Sequence, residues 1–229
     1  MPAELLNWIK KSGAVVPFKF LILSAWKACM DKDLILTNVA RHITLDEKEK
    51  QFFLSLLEPN ALKRKKLYLE SGTVCRYSAF VLDGALKSFT VDRDGKEHIL
   101  SFATRDWWIA DMYSFLSQKP AILNIEAIAD SEVLMLSRDN QQMLYEKVPK
   151  FERFFRIIVE NSLVANQQRL IDNLSLTAEE RYLHFIAKYP IVPSCVPQHN
   201  IASYLGITPE FLSKIRARLA RGKGRIVRP

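Results

Sequence analysis

Between Gln198 and Ala217 the chain reads QHNIASYLGITPEFLSKIRA, which has the form helix, tight turn, helix. Ile201 and Leu205 put apolar groups on one face of the first helix, and the small Ala202 lets a second helix approach closely. Gly206 supplies a turn residue free to take positive φ. Thr208 is a good N-cap, and Pro209 sits at the first helical position, where its missing N–H costs nothing. Leu212 and Ile215 turn the second helix's apolar face inward. Thr208, Pro209, Glu210, Ser213, Lys214 and Ala217 are left facing out. A second helix with a small or polar outer face and a basic end is what a reader of the DNA major groove requires. An αα-corner packed in a core uses similar spacing, but the surrounding charge argues against it.

That charge is unevenly distributed. The 229 residues carry a net charge of +8. From Leu174 to Pro229 nine Lys and Arg face three Glu, so most of the surplus lies in the last quarter. Such concentration directly after the motif points to a polyanion partner rather than to a solvated tail. The chain is 48% hydrophobic, enough to bury a core and to exclude disorder as its general state. Cys29, Cys75 and Cys195 are widely separated, and no C-x-x-C or Cys/His cluster occurs. A zinc or four-cysteine iron–sulfur site is therefore not expected, and the pattern fits reduced thiols in a cytoplasm. Residues 1–36 read as a poorly specified extension. Their longest clean apolar run, Phe20 to Trp26, is too short to span a bilayer, and no membrane association is expected. Met30 is an alternative start.

Outward from the motif, Thr177-Ala-Glu-Glu180 is a capping box that opens a C-terminal domain over 174–229. Before it, a helical pattern runs from Phe151 to about Leu174. Phe151, Phe155, Ile158, Ser162 and Ala165 form one stripe, with further apolar residues beside it. The apolar arc exceeds what one barrel needs to cover, so 149–173 is read as a dimerisation helix, with a core-covering helix as the alternative. Upstream, residues 37–148 have β texture. Short runs such as SAFVLDG, ALKSFTV, HILSFA, LNIEAIA and EVLML are separated by turn signals, among them Asp92-Arg-Asp-Gly95. Even spacing suggests an antiparallel barrel or jelly roll, interrupted by one helical insert near 111–117. Ser137 caps a short helix ending near Pro149. Thr44-Leu-Asp-Glu47 reads as a capping box, Pro59 as the stop of the helix that follows, and Lys63–Lys66 as a solvated strand face. The fold class is α+β.

A barrel, a long helix and a C-terminal helix-turn-helix, in that order, resemble the Crp/Fnr family of bacterial transcription regulators. YLGITPEFLSKIR looks like that family's recognition segment, and AEERYLHFI like the helix before it. VLDGALKSFTVDRDGKEHIL looks like the paired barrel strands. TRDWWIADMYSFLSQKPAILNIEAIADSEVL stands in the place of the cyclic-nucleotide phosphate cassette. The resemblance implies a homodimer on a two-fold symmetric operator, a winged-helix-type DNA domain, a barrel that senses an effector, and RNA polymerase as a further partner.

It also implies site residues. Glu210, Ser213 and Lys214 align with exposed recognition positions. Glu210 can accept from a cytosine amino group, and Lys214 can donate to guanine or to phosphate. Pro209 stands where the family often has Arg. Thr208, Gln198 and His199 lie near helix N-termini, where phosphates are commonly held. Arg216 and Arg218 begin a basic follow-on, or lie on a solvent face. In the cassette the family pattern is Gly-Glu-Leu and then Arg-Ser. Here Ala110-Asp111-Met112 and Ala121-Ile122 take those places. Ala121 cannot pair with a buried phosphate, and Asp111 repels one, so little or no cyclic AMP binding is expected. No cofactor is expected, and the effector is not named by the sequence. Trp107 and Trp108 are the candidate pocket aromatics, with wall packing as the alternative. Cys75 and His98 are candidate haem ligands, with ordinary packing roles as the alternative. A cupin-type barrel enzyme would need clustered His and Glu ligands, and the barrel holds a single histidine. An interaction module that uses the basic tail for RNA is a third reading. No catalytic residue is expected.

Overall fold

The computed structural model describes residues 32–190 and 192–223. The readings of residues 1–31, including Cys29 and Met30, and the question of a wing after Gly222 lie outside the described residues. Helix α1 (Lys32–Ala40) crosses the boundary expected at 36/37, because Ile35 and Val39 are both buried in the domain that follows. Helix α2 (Glu47–Ser55) is capped by Asp46, which accepts from the Glu49 N–H, while the Glu49 carboxylate accepts in return. The capping box therefore lies two residues beyond the Thr44 reading.

Among the described residues, eight strands form two antiparallel four-stranded sheets. They are β1 (Leu57–Leu62), β2 (Leu67–Leu69), β3 (Tyr77–Asp83), β4 (Ala85–Val91), β5 (Glu97–Thr104), β6 (Trp108–Ile109), β7 (Asn124–Ala127) and β8 (Ser131–Ser137). The orders are β1-β8-β3-β6 and β2-β7-β4-β5. Pro59 does not stop a helix. It lies in β1, paired with Leu134, and β1 is an edge strand, where a missing N–H is tolerated. Lys63–Lys66 form the exposed turn between β1 and β2, not a strand face.

The central strands are buried on both faces because they serve two cores. In β3, Ala79 and Val81 point into the barrel with Leu86, Ile125 and Val133. Phe80 and Leu82 point the other way, into a cluster with Ile35, Phe53, Leu136, Leu144 and Phe151. A one-residue slip would exchange the two sets, so the register is strongly specified. Gly84 makes the β3–β4 turn at φ +87°, and a Cβ there would meet Ser131 Oγ at 2.3 Å. At the β4–β5 turn, Asp92 accepts from the N–H groups of Asp94 and Lys96.

The remaining elements are helical: α3 (Met112–Ser117), α4 (Arg138–Lys147), α5 (Lys150–Ser175), α6 (Ala178–Lys188), α7 (Val192–Cys195), α8 (Gln198–Leu205) and α9 (Pro209–Lys223). Ser137 caps α4, and Thr177 with Glu180 forms the capping box of α6. The first turns of α5 bury Phe151, Phe154 and Phe155 against the outside of the barrel. A third cluster joins Phe89, Ile99 and Phe102 of the barrel to Phe185, Tyr204, Leu205, Leu212 and Ile215 of the C-terminal helices.

Candidate nucleic-acid interface and barrel cassette

The helix-turn-helix is formed by α8 and α9. Gly206 ends α8 in the left-handed region at φ +68°, and its N–H donates to the carbonyls of Ala202 and Ser203. The Thr208 hydroxyl accepts from the Phe211 N–H and so caps α9. Leu212 and Ile215 are buried, whereas Thr208, Pro209, Glu210, Ser213, Lys214 and Ala217 are exposed. Hydrogen bonds from backbone N–H and from Thr208 hold the Glu210 carboxyl below its ordinary range, so it is an acceptor at neutral pH. Gln198 and His199 are exposed in the first turn of α8. Arg216 is half-buried, and Arg218 is exposed and paired with Glu179 of α6.

The start of α9, its side chains exposed, borders an open cleft beside its own barrel. Thr208, Pro209 and Glu210 line a cleft of about 930 Å³ together with Lys96, Glu97 and His98. Buried Lys87 pairs there with Glu97 and, at 3.4 Å, with Glu126. The Ser203 hydroxyl donates to the Glu97 carbonyl at 2.8 Å, and the Ile99 N–H donates to Ser203 Oγ at 3.3 Å. Arg169, from the last third of α5, ties the joint. Its guanidinium donates to the carbonyls of Leu100, Ile99 and Tyr204 and lies 3.9 Å from the centre of the Tyr204 ring. Burial pushes its pKa down from the ordinary arginine value. Sequence reasoning passed over Arg169, since a single arginine on a long helix carries no local signal of what it will grip.

The residues of the expected dimerisation stripe divide between the chain's own core and its surface. Phe151 and Phe155 are buried within the chain's own core, Ile158 packs partly against that core, Ala165 is half-buried, and only Ser162 of the five is exposed. The open apolar face belongs instead to Val159, Leu163, Val164, Leu170, Ile171 and Leu174, with Leu163 66% and Leu174 81% exposed. The seven-residue spacing of 163/170 and of 164/171 was a usable sequence signal for this face. Val159 and Leu163 share a groove of about 670 Å³ with Met112 and Leu116 of α3.

The cassette residues do not gather around one pocket. Trp108 packs on Phe80 and Phe155 in the core under α5, and its ring N–H donates to Asn38. Trp107, 38% exposed, packs edge-on against Tyr189. Trp108, the first residue of β6, packs in the cluster outside the barrel, and Trp107, just before the strand, covers Tyr189 at the end of α6. Met112 and Ile122 are exposed, and Ala121 is buried. Asp111 is 1% exposed. One carboxylate oxygen accepts from the Ser114 N–H at 3.0 Å and caps α3. The other accepts from the N–H groups of Ile122 and Leu123, each at 3.0 Å. The cassette's inward-pointing donors are thus taken by the chain's own carboxylate. The thiol of Cys75 is buried inside the barrel, whereas His98 is half-exposed and paired with Asp92 at 2.7 Å. Among the described residues no group of three His, Cys, Asp or Glu could hold a metal, and no helix is long and apolar enough to cross a membrane.

Comparison with known proteins places this geometry. Residues 59–147 match the cyclic nucleotide-binding domain. The chain is 22% identical over 208 residues to the anaerobic regulatory protein of Pasteurella multocida, covering 83% of this chain and 73% of that one. It is 21% identical to the anaerobic regulatory protein of Haemophilus influenzae, over 83% of this chain and 78% of the relative. The structure of FixK2 from Bradyrhizobium japonicum superposes with a TM-score of 0.65 at 18% identity, covering 73% of this chain and 86% of FixK2. A putative transcriptional regulator of the Crp/Fnr family from Eubacterium rectale superposes with a TM-score of 0.60 at 13% identity, over 78% of this chain and 85% of the other. Residues 59–147 are therefore similar to the cyclic nucleotide-binding domain, the chain is similar to anaerobic regulatory proteins, and its fold is that of solved Crp/Fnr regulators.

Proposed function

We propose that this chain is a sequence-specific, DNA-binding transcription regulator that acts as a homodimer on a two-fold symmetric duplex site. The observation that carries the reading is the outer face of α9. Its apolar residues Leu212 and Ile215 are buried, and its small, polar and charged residues Pro209, Glu210, Ser213 and Lys214 are presented together. Docked in a major groove, Glu210 accepts from a cytosine amino group and Lys214 donates to guanine O6 and N7. Gln198, His199 and Thr208, near helix N-termini, hold phosphates. Arg216 adds positive charge, and Arg218 first has to leave Glu179.

The dimer seam is the exposed stripe of α5 centred on Leu163 and Leu170, not the Phe151–Phe155 side. Left open, this stripe exposes more apolar side chain than isolated surface residues account for, and a second copy of the same helix covers it symmetrically. The barrel does not take a cyclic nucleotide through the phosphate route. A bound phosphate would compete with the Asp111 carboxylate for the same N–H donors, and Ala121 offers no cation in compensation.

Selection of binding sites by the ligand-free protein from a random duplex library tests the reading. Enrichment of a two-fold symmetric site, with half-sites one turn or about 34 Å apart, is the expected result. Binding that is salt-sensitive but equal on all sequences, or equal on RNA and duplex DNA, would refute it.

A further inference from the structure

We propose that Phe211 is a base-reading residue and that its target is the C5-methyl group of thymine. The inference rests on the proposed DNA-binding function and names a specificity element within it. Phe211 is the one large apolar side chain exposed on α9 among the described residues, at 47%. It lies in the first turn, and its own N–H is tied to the capping Thr208 hydroxyl at 3.2 Å. The ring therefore stands on a fixed stretch of backbone. Glu210 precedes it, and Lys214 lies one turn further on at i+3, both exposed. The first turn of a recognition helix is the part that reaches base edges.

The chemistry selects the partner. In the major groove, adenine, guanine and cytosine present donors and acceptors to this edge, and thymine alone adds a methyl group. A phenyl ring offers no hydrogen bond to the first three and would leave their groups desolvated. Against the methyl it removes apolar surface from water on both sides. A phosphate partner is disfavoured for the same reason, since an aromatic side chain cannot replace the water it would displace there. With Glu210 accepting from cytosine and Lys214 donating to guanine, Phe211 adds a third kind of base contact to one short helix.

The test uses the full chain and the symmetric site selected as above. Each thymine is replaced in turn by deoxyuridine, which removes only the methyl group, and affinities of wild type and Phe211→Ala are compared. One thymine per half-site is expected to matter. Losing its methyl should weaken wild-type binding about fourfold, the equivalent of about 0.8 kcal/mol for one buried carbon. Substitution in both half-sites should give about 15-fold. Phe211→Ala should bind the thymine and deoxyuridine sites equally. Since the side chain is exposed, that variant should keep the wild-type circular dichroism spectrum and melting temperature, which are recorded alongside. If wild type binds its site specifically yet no methyl matters, or both proteins lose the same factor, Phe211 does not read thymine. If no symmetric site is enriched at all, the DNA-binding reading itself has failed, and this inference with it.

Discussion

Replacing Arg169 with methionine should loosen the C-terminal helices from the barrel without unfolding either. Methionine keeps most of the side chain's length and apolar stem but removes every donor. Three hydrogen bonds disappear, to the carbonyls of Leu100, Ile99 and Tyr204. Bonds to a charged group contribute about 1.5–3 kcal/mol each. The lower figure applies here, because β5 is an edge strand and its freed carbonyls can turn to water, giving about 4–5 kcal/mol. The contact with the Tyr204 ring adds about 1 kcal/mol. Against this, the Nε of Arg169 is buried without an acceptor, a cost of about 1–3 kcal/mol that the substitution removes. The net loss is about 2–5 kcal/mol, a factor of about 30–5,000 in the equilibrium between docked and open joint.

The assay is amide hydrogen exchange resolved to single residues. The Ile99 N–H reports the joint, because it donates to the Ser203 hydroxyl of α8. Its exchange should accelerate by that factor, and the amides of α8 should follow. Amides paired between β3 and β8 lie away from the joint and should be unchanged. An unchanged rate at Ile99, or equal acceleration in β3 and β8, would refute the reasoning. The first would mean that Arg169 does not hold the joint, the second that it holds the whole fold.

Three other outcomes are expected. Leu163→Glu places a charge on the open stripe of α5 twice per dimer, and each lost leucine burial is worth about 1.5–3 kcal/mol. Sedimentation should then show a monomer at concentrations where wild type is dimeric, with the melting profile of the barrel retained; a dimer of undiminished affinity would move the seam elsewhere. Asp111→Ala strips the acceptor from one buried and two part-buried N–H groups, at about 3 kcal/mol after allowing for the relief of burying a charge. Scanning calorimetry should show the transition lowered by about 6–12 °C, and wild type should give no saturable heat with millimolar cyclic AMP; a shift under 2 °C, or saturable heat, would contradict the self-filled cassette. Burial raises the pKa of the Cys75 thiol, so at pH 8 it is protonated as well as shielded. Mass spectrometry should find it unmodified by iodoacetamide in the native protein and modified after denaturation, and rapid native labelling would place it outside the barrel interior.

Local chemistry was legible in the sequence. Gly206, Thr208 and Pro209 specify the turn and the start of α9 through φ preference and capping, neither of which needs a distant partner. The same holds for Ser137 and Thr177 as caps and for the Asp92–Gly95 turn. The strand runs were visible in outline because turn residues separate them. Thr44 and Asp46, each with Glu three residues on, offer the same local chemistry as caps of α2, and neighbouring residues alone do not choose between them. Pro59 misled for a related reason: proline ends a helix, but it is equally at home on an edge strand, and edge status depends on sheet order.

By itself, then, the sequence determined which segments could be helix, strand or turn, and which face of α9 could meet a polyanion. Those properties follow from neighbours within a few residues. Tertiary structure alone decided which of two apolar faces of α5 the chain covers itself, because Phe151 and Phe155 are as hydrophobic as Leu163 and Leu170 and differ only in what folds against them. It decided that Trp108 braces a wall. It decided that Asp111, a recognisable cap, also accepts from the N–H groups of Ile122 and Leu123, and that Arg169 grips two strand carbonyls and a third in α8. Each of these depends on groups brought together from distant parts of the chain, and a residue's local pattern holds no record of its distant partner.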